Sequence, residues 1–136
     1  GRRETGASIL YIEDNPANLR LVGSILAARG GIRLFTSPSP VMGLEMAQTH
    51  RPDLILLDIN MPEMDGYETL ARLRASEWGR QVPVVAVTAL AMPHDLERGR
   101  TAGFADYLTK PLDVGGFLAV IDRILTTPLA AEGKGL

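Results

Sequence analysis

The stretch DLILLDINMPEMDG, residues 53–66, determines how the rest of the chain is interpreted. Residues 54–57 form an apolar run of strand length without polar alternation, which is typical of a strand covered on both faces in a parallel sheet. Asp58 ends this run, where a buried and unpaired charge would be costly. Asp65 is better placed to cap the next helix, because Gly66 and a helical pattern follow it. Asp58 is therefore left without a structural task, and we predict that it is functional.

The composition indicates a single globular domain. The chain has 136 residues, of which 46% are apolar and 22% charged, and this length is enough to bury a core. A net charge of -2, with both signs spread along the sequence, gives no indication of direct nucleic-acid binding. The sequence has no apolar run of membrane-spanning length and no signal-peptide core at its start. It contains no cysteine, which excludes disulfides and thiolate metal sites and fits a cytoplasmic protein.

Five strand–helix units follow one another along the chain. Their alternation with short connections predicts an α/β fold in which helices cover both faces of a parallel sheet. Residues 7–125 form the predicted domain, with 1–6 as a linker or remnant and 126–136 as a flexible C-terminal tail. Strands are predicted at 7–12, 32–35, 54–58, 82–88 and 104–108, and helices at 16–29, 40–50, 66–76, 93–103 and 114–125. The helix residues expected to face inward are Leu19, Val22, Ile25, Leu26, Val41, Leu44, Met46, Tyr67, Leu70, Leu73, Val114, Phe117, Ile121 and Ile124.

Reactive side chains stand at the carboxyl ends of four of these strands. Glu13 and Asp14 follow the first strand, Asp58 ends the third, and the fourth and fifth lead to Thr88 and Lys110. Parallel strands open into one crevice at these ends. Three carboxylates in one site repel each other, so a cation is needed, and oxygen ligands without Cys or His suit Mg²⁺. With the charge of Lys110 and the hydroxyl of Thr88, these are the parts that move a phosphoryl group onto the Asp58 carboxylate.

Each of these residues also has a structural alternative. Glu13 and Asp14 can cap the first helix, Thr88 can be an ordinary strand-end residue, and Lys110 a solvated loop charge. Their joint placement at four strand ends favours the functional interpretation. The sequence has no glycine-rich phosphate loop, so nucleotide binding has little support.

Four segments resemble the signatures of response-regulator receiver domains of two-component signalling. They are IEDN at 12–15, LDINMPEMDG at 57–66, VTA at 87–89 and LTKP at 108–111. The resemblance spans about residues 7–125. It implies a flavodoxin-like (βα)5 fold with an open parallel sheet of strand order 2-1-3-4-5.

The resemblance also implies a role for each site residue. Asp58 would accept phosphate from a phosphohistidine of a histidine kinase or a histidine phosphotransfer domain. The Mg²⁺ ligands would be Glu13, Asp14, Asp58 and the backbone carbonyl of Asn60. The phosphoryl group would be contacted by Thr88 and Lys110, and the switch aromatic would be Tyr107. Such a protein is a phosphoacceptor that assists its own phosphorylation and slow autodephosphorylation, rather than a conventional enzyme. A weak homodimer is a further expectation, and the bond between Lys110 and Pro111 is often cis in this family.

The fourth helix is predicted to be the mobile element of a switch. On phosphorylation, Thr88 would move to donate to the phosphoryl group and Tyr107 would turn into the space that this leaves. Leu96 is the one strong apolar anchor of this helix, and Gly99 and Gly103 each weaken it by up to about 1 kcal/mol. Few anchors predict low local stability.

The donor is expected to approach beside the first helix. Leu19 and Val22 would offer it an apolar patch if partly exposed, and the alternative is that both belong to the core. The sequence YIEDNPANL at 11–19 resembles that of receivers attached to hybrid sensor histidine kinases more than that of receivers followed by DNA-binding domains.

Two other functions are alternatives to phosphotransfer. A Mg²⁺-dependent hydrolase with an aspartyl-phosphate intermediate typically has a second Asp two residues after the nucleophile, and Asn60 in that place cannot act as a general acid. A non-phosphorylated pseudo-receiver that only docks partners is disfavoured because the five key side chains are all present.

Overall fold

The computed structural model describes residues 6–89 and 93–126. Five parallel strands form one sheet in the order β2-β1-β3-β4-β5, which confirms the predicted fold and strand order. The linker and tail predicted at the two ends lie largely outside the described residues. The strands are β1 Ala7–Ile12, β2 Ile32–Ser37, β3 Leu54–Asp58, β4 Val84–Thr88 and β5 Asp106–Thr109. The helices are α1 Pro16–Arg29, α2 Pro40–His50, α3 Gly66–Arg74, α4 Pro93–Ala102 and α5 Val114–Thr126.

Side-chain caps fix where the helices begin. Asn15 Oδ1 accepts from the Ala17 amide at 2.8 Å, and Pro16 occupies the first position of α1. Asp65 Oδ1 accepts from the Glu68 amide at 2.9 Å, which confirms the predicted cap of α3. Asp65 therefore has the structural task that Asp58 lacks.

The sheet separates two layers of the core. The side chains of β3 alternate between them, with Leu54 and Leu56 facing α1 and α5, and Ile55 and Leu57 facing α2 and α3. All four are at most 1% exposed, as the unbroken apolar run predicts for a strand covered on both faces.

Two of the predicted inward faces, those of α2 and α5, were wrong at one residue each. Val41 is 47% and Val114 50% exposed, so neither contributes to the core. In α2 the contact is made by small residues, since a Cβ on Gly43 would lie 2.5 Å from Ile12 Cδ1. Val22 is fully buried, so the core alternative holds for it and it offers no docking patch. The partly buried Leu19 packs against the same core, and α5 buries Phe117, Ile121 and Leu125.

Two strands begin later than predicted. Pro83 has no amide hydrogen and precedes β4, where its carbonyl accepts from Ile55. Before β5, Gly103 adopts a φ of 110° and the buried Phe104 packs between Tyr67 and Tyr107.

Arg74 joins three segments at the amino end of the sheet. Its guanidinium donates to the carbonyls of Gly79 at 2.5 Å and Val82 at 2.7 Å, and more weakly to that of Gly103 at 3.4 Å. The end of α3 is thereby tied to the segments that lead into β4 and β5. Within α4, the side chains of residues 93–96 and 99, including the predicted anchor Leu96, lie outside the described residues. Among the described residues, none of the helices has the length and hydrophobicity required to cross a membrane.

Candidate functional site

Strand register brings the predicted site residues to one edge of the sheet. Ile12 of β1 aligns with Leu57 of β3, and Asp58 with Val87 of β4. The residues that follow or end these strands therefore meet in one place. The structure brings together Glu13, Asp14, Asp58, Thr88 and Lys110 at this edge.

The three carboxylates form a compact acidic cluster. One oxygen from each of Glu13, Asp14 and Asp58 lies within 4.8 Å of the other two. Glu13 is 1% and Asp58 5% exposed, while Asp14 faces the solvent. An all-oxygen set of this kind, with two buried members, matches the ligands that Mg²⁺ prefers.

Lys110 supplies the positive charge between two of these carboxylates. Its Nζ lies 2.9 Å from Glu13 Oε1 and 3.3 Å from Asp58 Oδ2. The Lys110 amide donates to the Thr88 carbonyl at 2.8 Å, and the bond to Pro111 is cis. Burial opposes the charged form, but the hydrogen bond to Glu13 and the charge of Asp58 outweigh it and raise the pKa of Lys110.

The two buried carboxylates differ in how well their charges are compensated. Burial opposes ionisation of Glu13, but hydrogen bonds from Lys110 and from the Asn15 amide to Oε2 at 3.1 Å lower its pKa. Burial raises the pKa of Asp58, and the hydrogen bond from the Asn60 amide to Oδ1 at 3.0 Å only partly offsets this. Asp58 is therefore the carboxylate that gains most from a further cation.

Asn60 and Thr88 are neighbours at the Asp58 end of the sheet. Thr88 is buried, and its Oγ1 lies 3.4 Å from Asn60 Nδ2, at the long end of hydrogen bonding. Both residues line a cleft of about 270 Å³ beside Asp58. The other lining residues are Ile59, Asp65, Tyr67, Arg98 and Tyr107. Tyr107, the predicted switch aromatic, and Thr88 thus line the same open space.

Two tyrosines at the site were missed from the sequence. Tyr11, expected only to be part of β1, donates its hydroxyl to Glu13 Oε1 at 3.0 Å. Burial and the charge of Glu13 raise the pKa of Tyr11, so the hydroxyl keeps its proton. Tyr67, expected only to face inward, has its hydroxyl 2.8 Å from that of Tyr107. The period-2 geometry of a strand, which puts residues 11 and 13 on the same face, was the available signal for Tyr11.

The fold and the acidic site define the chain as a receiver. It belongs to the response regulator receiver domain family, whose model matches residues 9–122. The chain is therefore a component of two-component signalling. Receivers of this family are phosphoacceptors rather than conventional enzymes, and they bind Mg²⁺ at an acidic site of this kind.

Individual relatives agree with this assignment. The chain is 39% identical over 118 residues to the polar-differentiation response regulator DivK of Brucella ovis, covering 87% of this chain and 95% of that protein. It is 34% identical to the crystal structure of the receiver domain of sensor histidine kinase PA1611 from Pseudomonas aeruginosa, with a magnesium ion coordinated in the active-site cleft. That match has a TM-score of 0.81 and covers 90% of this chain and 99% of the other. The chemotaxis response regulator CheY4 of Vibrio cholerae matches at 27% identity with a TM-score of 0.82, covering 88% and 99%.

Proposed function

We propose that this receiver takes a phosphoryl group from a phosphohistidine onto Asp58, with Mg²⁺, and then changes conformation. The observation that carries the proposal is the position of Lys110 Nζ between Glu13 and Asp58 in a cluster of three carboxylates. The ammonium group is placed to neutralise oxygens that arrive at Asp58. The donor would be a histidine kinase or a histidine phosphotransfer domain, and the reaction would take place in the cytoplasm.

The metal would be held by oxygen atoms of this chain. Glu13, Asp14 and Asp58 would supply carboxylates, and Asn60 its backbone carbonyl. When bound, Mg²⁺ supplies positive charge to the transferring phosphoryl oxygens. Glu13 and Asp58 fit this role because the two buried carboxylates share the single ammonium group of Lys110, which leaves a net negative charge at the site.

The residues of the chain then perform the transfer by position and charge. An Asp58 carboxylate oxygen forms a bond to phosphorus while the bond from phosphorus to the donor imidazole nitrogen breaks. That nitrogen keeps the electron pair of the broken bond, and the ring, which carries a proton on its other nitrogen, leaves as neutral imidazole. The Lys110 ammonium group turns toward the phosphoryl oxygens on Asp58, and the Thr88 hydroxyl donates a hydrogen bond to one of these oxygens. Tyr107 turns into the space beside Thr88, and α4 moves with it. Residues 7–125 form the unit that does this, and a weak homodimer is a further part of the proposal.

The test is the intact mass of the protein after incubation with Mg²⁺ and acetyl phosphate. Wild type should gain one phosphoryl group and Asp58→Asn none. Asp65→Asn is the matched control, because Asn also caps helices and this carboxylate is engaged with the Glu68 amide. Labelling of Asp58→Asn would show that another residue is the acceptor. No labelling of wild type, where a control receiver is labelled, would favour a pseudo-receiver, and repeated turnover of small phosphate esters would favour a hydrolase.

A further inference from the structure

Tyr11 lies beneath the acidic cluster with its ring entirely buried. It is 0% exposed and belongs to the core layer that faces α1 and α5. Its hydroxyl reaches the edge of the site and donates to Glu13 Oε1 at 3.0 Å. A phenylalanine would fill the same apolar space, so the hydroxyl is the part of this side chain that requires an explanation.

The Glu13 carboxylate is held by three donors before any metal binds. Oε1 accepts from Tyr11 and lies 2.9 Å from Lys110 Nζ, and Oε2 accepts from the Asn15 amide at 3.1 Å. Since Glu13 is 1% exposed, water can do little to replace a donor that is lost. Its orientation therefore depends on these three groups.

The three donors are not equivalent during phosphotransfer. Lys110 is shared between Glu13 and Asp58, and the proposed function requires it to turn toward the phosphoryl group on Asp58. The position of the tyrosine hydroxyl is fixed by the buried ring, and among the described residues Glu13 is the one carboxylate to which it is hydrogen-bonded. It is thus the donor that remains on Oε1 when the ammonium group leaves.

We infer that Tyr11 is a positioning residue that holds Glu13 in the orientation of a metal ligand and lets Lys110 leave it. This inference rests on the proposed function, since it assigns the hydroxyl a task in the metal site of that reaction. Partners in the second layer of a metal site orient the ligands that touch the metal, and their loss typically weakens metal affinity about 10- to 100-fold.

The experiment is a titration of the unphosphorylated protein with Mg²⁺ alone, followed by backbone amide chemical shifts. Tyr11→Phe should bind Mg²⁺ about tenfold more weakly than wild type. Ile121→Val shortens a fully buried side chain of the same core layer and should leave the affinity unchanged. Equal affinity of Tyr11→Phe and wild type would overturn the inference, as would an equal loss in Ile121→Val.

A double-mutant cycle separates positioning from general loosening of the core. In a Glu13→Gln background, Tyr11→Phe should change Mg²⁺ affinity less than about twofold, because the group through which it acts is gone. An undiminished tenfold loss in that background would overturn the inference.

The two proposals fail in different ways. If wild type is labelled but Tyr11→Phe binds Mg²⁺ normally, phosphotransfer to Asp58 stands and the positioning role is wrong. If Mg²⁺ affinity falls in Tyr11→Phe while wild type is never labelled, the positioning role stands and phosphotransfer is wrong.

Discussion

The hydroxyl oxygens of Tyr67 and Tyr107 lie 2.8 Å apart, which joins α3 to β5 by a side-chain hydrogen bond. Phe104 meets both rings edge-on, at centroid distances of 5.7 and 6.0 Å. The guanidinium of Arg98 lies 3.8 Å from the centre of the Tyr67 ring, so α4 is part of the same cluster. In the described conformation, the aromatic ring assigned to the switch is therefore held by an element outside its own strand.

Tyr67→Phe should make the proposed switch easier, because Tyr107 must break this hydrogen bond to turn toward Thr88. A net contribution of about 0.5–1.5 kcal/mol for such a bond corresponds to a two- to tenfold larger population of the switched conformation. Relaxation-dispersion NMR on the amides of α4 measures that population without phosphorylation. An unchanged population would show that the bond does not restrain Tyr107.

Asp58→Asn should stabilise the fold in the absence of Mg²⁺. Burial and the charge of Glu13 raise the pKa of Asp58 above its unfolded value, so ionised Asp58 destabilises the native state. We expect the variant to be more stable than wild type at pH 7, because it no longer buries an ionised carboxylate at this position. Lys110 should keep Glu13 as its partner in the variant, since its Nζ lies 2.9 Å from Glu13 Oε1 in wild type.

The pH dependence of stability tests the same point with a defined sign. The native state of wild type binds the Asp58 proton more tightly than the unfolded state, so stability falls as the pH rises from the unfolded to the native pKa of Asp58. Asp58→Asn should lack this fall. Glu13 has a lowered pKa and acts oppositely, with stability lost as the pH falls through its native pKa, and both proteins should share that loss. Urea unfolding from pH 4 to 8 gives both curves, and parallel curves would contradict the assignment.

Gly66→Ala should destabilise the protein by about 1–3 kcal/mol. A Cβ at this position would lie 2.8 Å from Ile59 Cα, and backbone so close after Asp58 has little room to shift. Gly23→Ala is the matched control, since its Cβ would meet only Leu34 Cδ2 at 3.9 Å and alanine favours a helix interior by up to about 1 kcal/mol. Thermal unfolding should therefore move in opposite directions for the two variants, and equal shifts would argue against crowding at Gly66.

Amide hydrogens of α4 should exchange with solvent at least about tenfold faster than those of α5. The side chains of α4 described at residues 97, 98 and 100–102 are all exposed, whereas α5 buries Phe117, Ile121 and Leu125. Exchange measured by mass spectrometry on peptides that cover each helix makes the comparison within one molecule. Equal protection of the two helices would contradict the view that α4 is the weakly held element.

Local sequence signals predicted the parts of this molecule that depend on neighbours in the chain. The apolar run before Asp58 predicted a buried strand, and the position of Asp65 before a helical pattern predicted a helix cap. Both predictions depend only on neighbouring residues, and both were confirmed. Val41 and Val114 were wrongly assigned to the core, because hydrophobicity alone does not say which side of a helix approaches the sheet. The close contact of Gly43 with Ile12 decides it for α2, and that contact exists only in the folded chain.

The site shows the same division between local and tertiary information. Strand ends and parallel connections were enough to bring Asp58 and Lys110 to one edge. The tyrosine hydroxyls at 11 and 67 escaped notice, because their hydrogen bonds depend on how far a buried ring reaches after packing. A β-prone or apolar pattern predicts that a tyrosine ring is buried, but it does not predict the hydrogen-bond partner of the hydroxyl.

The contact of Arg74 with the Gly103 carbonyl, although weak at 3.4 Å, attaches the end of α4 to α3 at the amino end of the sheet. The helix ends at Ala102, next to the Gly103 carbonyl that Arg74 contacts, and begins at Pro93, on the side of the sheet where Asp58 lies. The ten residues of α4 span about 15 Å, so a tilt of about 10° about the end at Ala102 would move the end at Pro93 by about 2.5 Å. A small displacement beside Thr88 would therefore reach a binding partner as a tilt of the α4 surface, and the residues near Pro93 would move furthest.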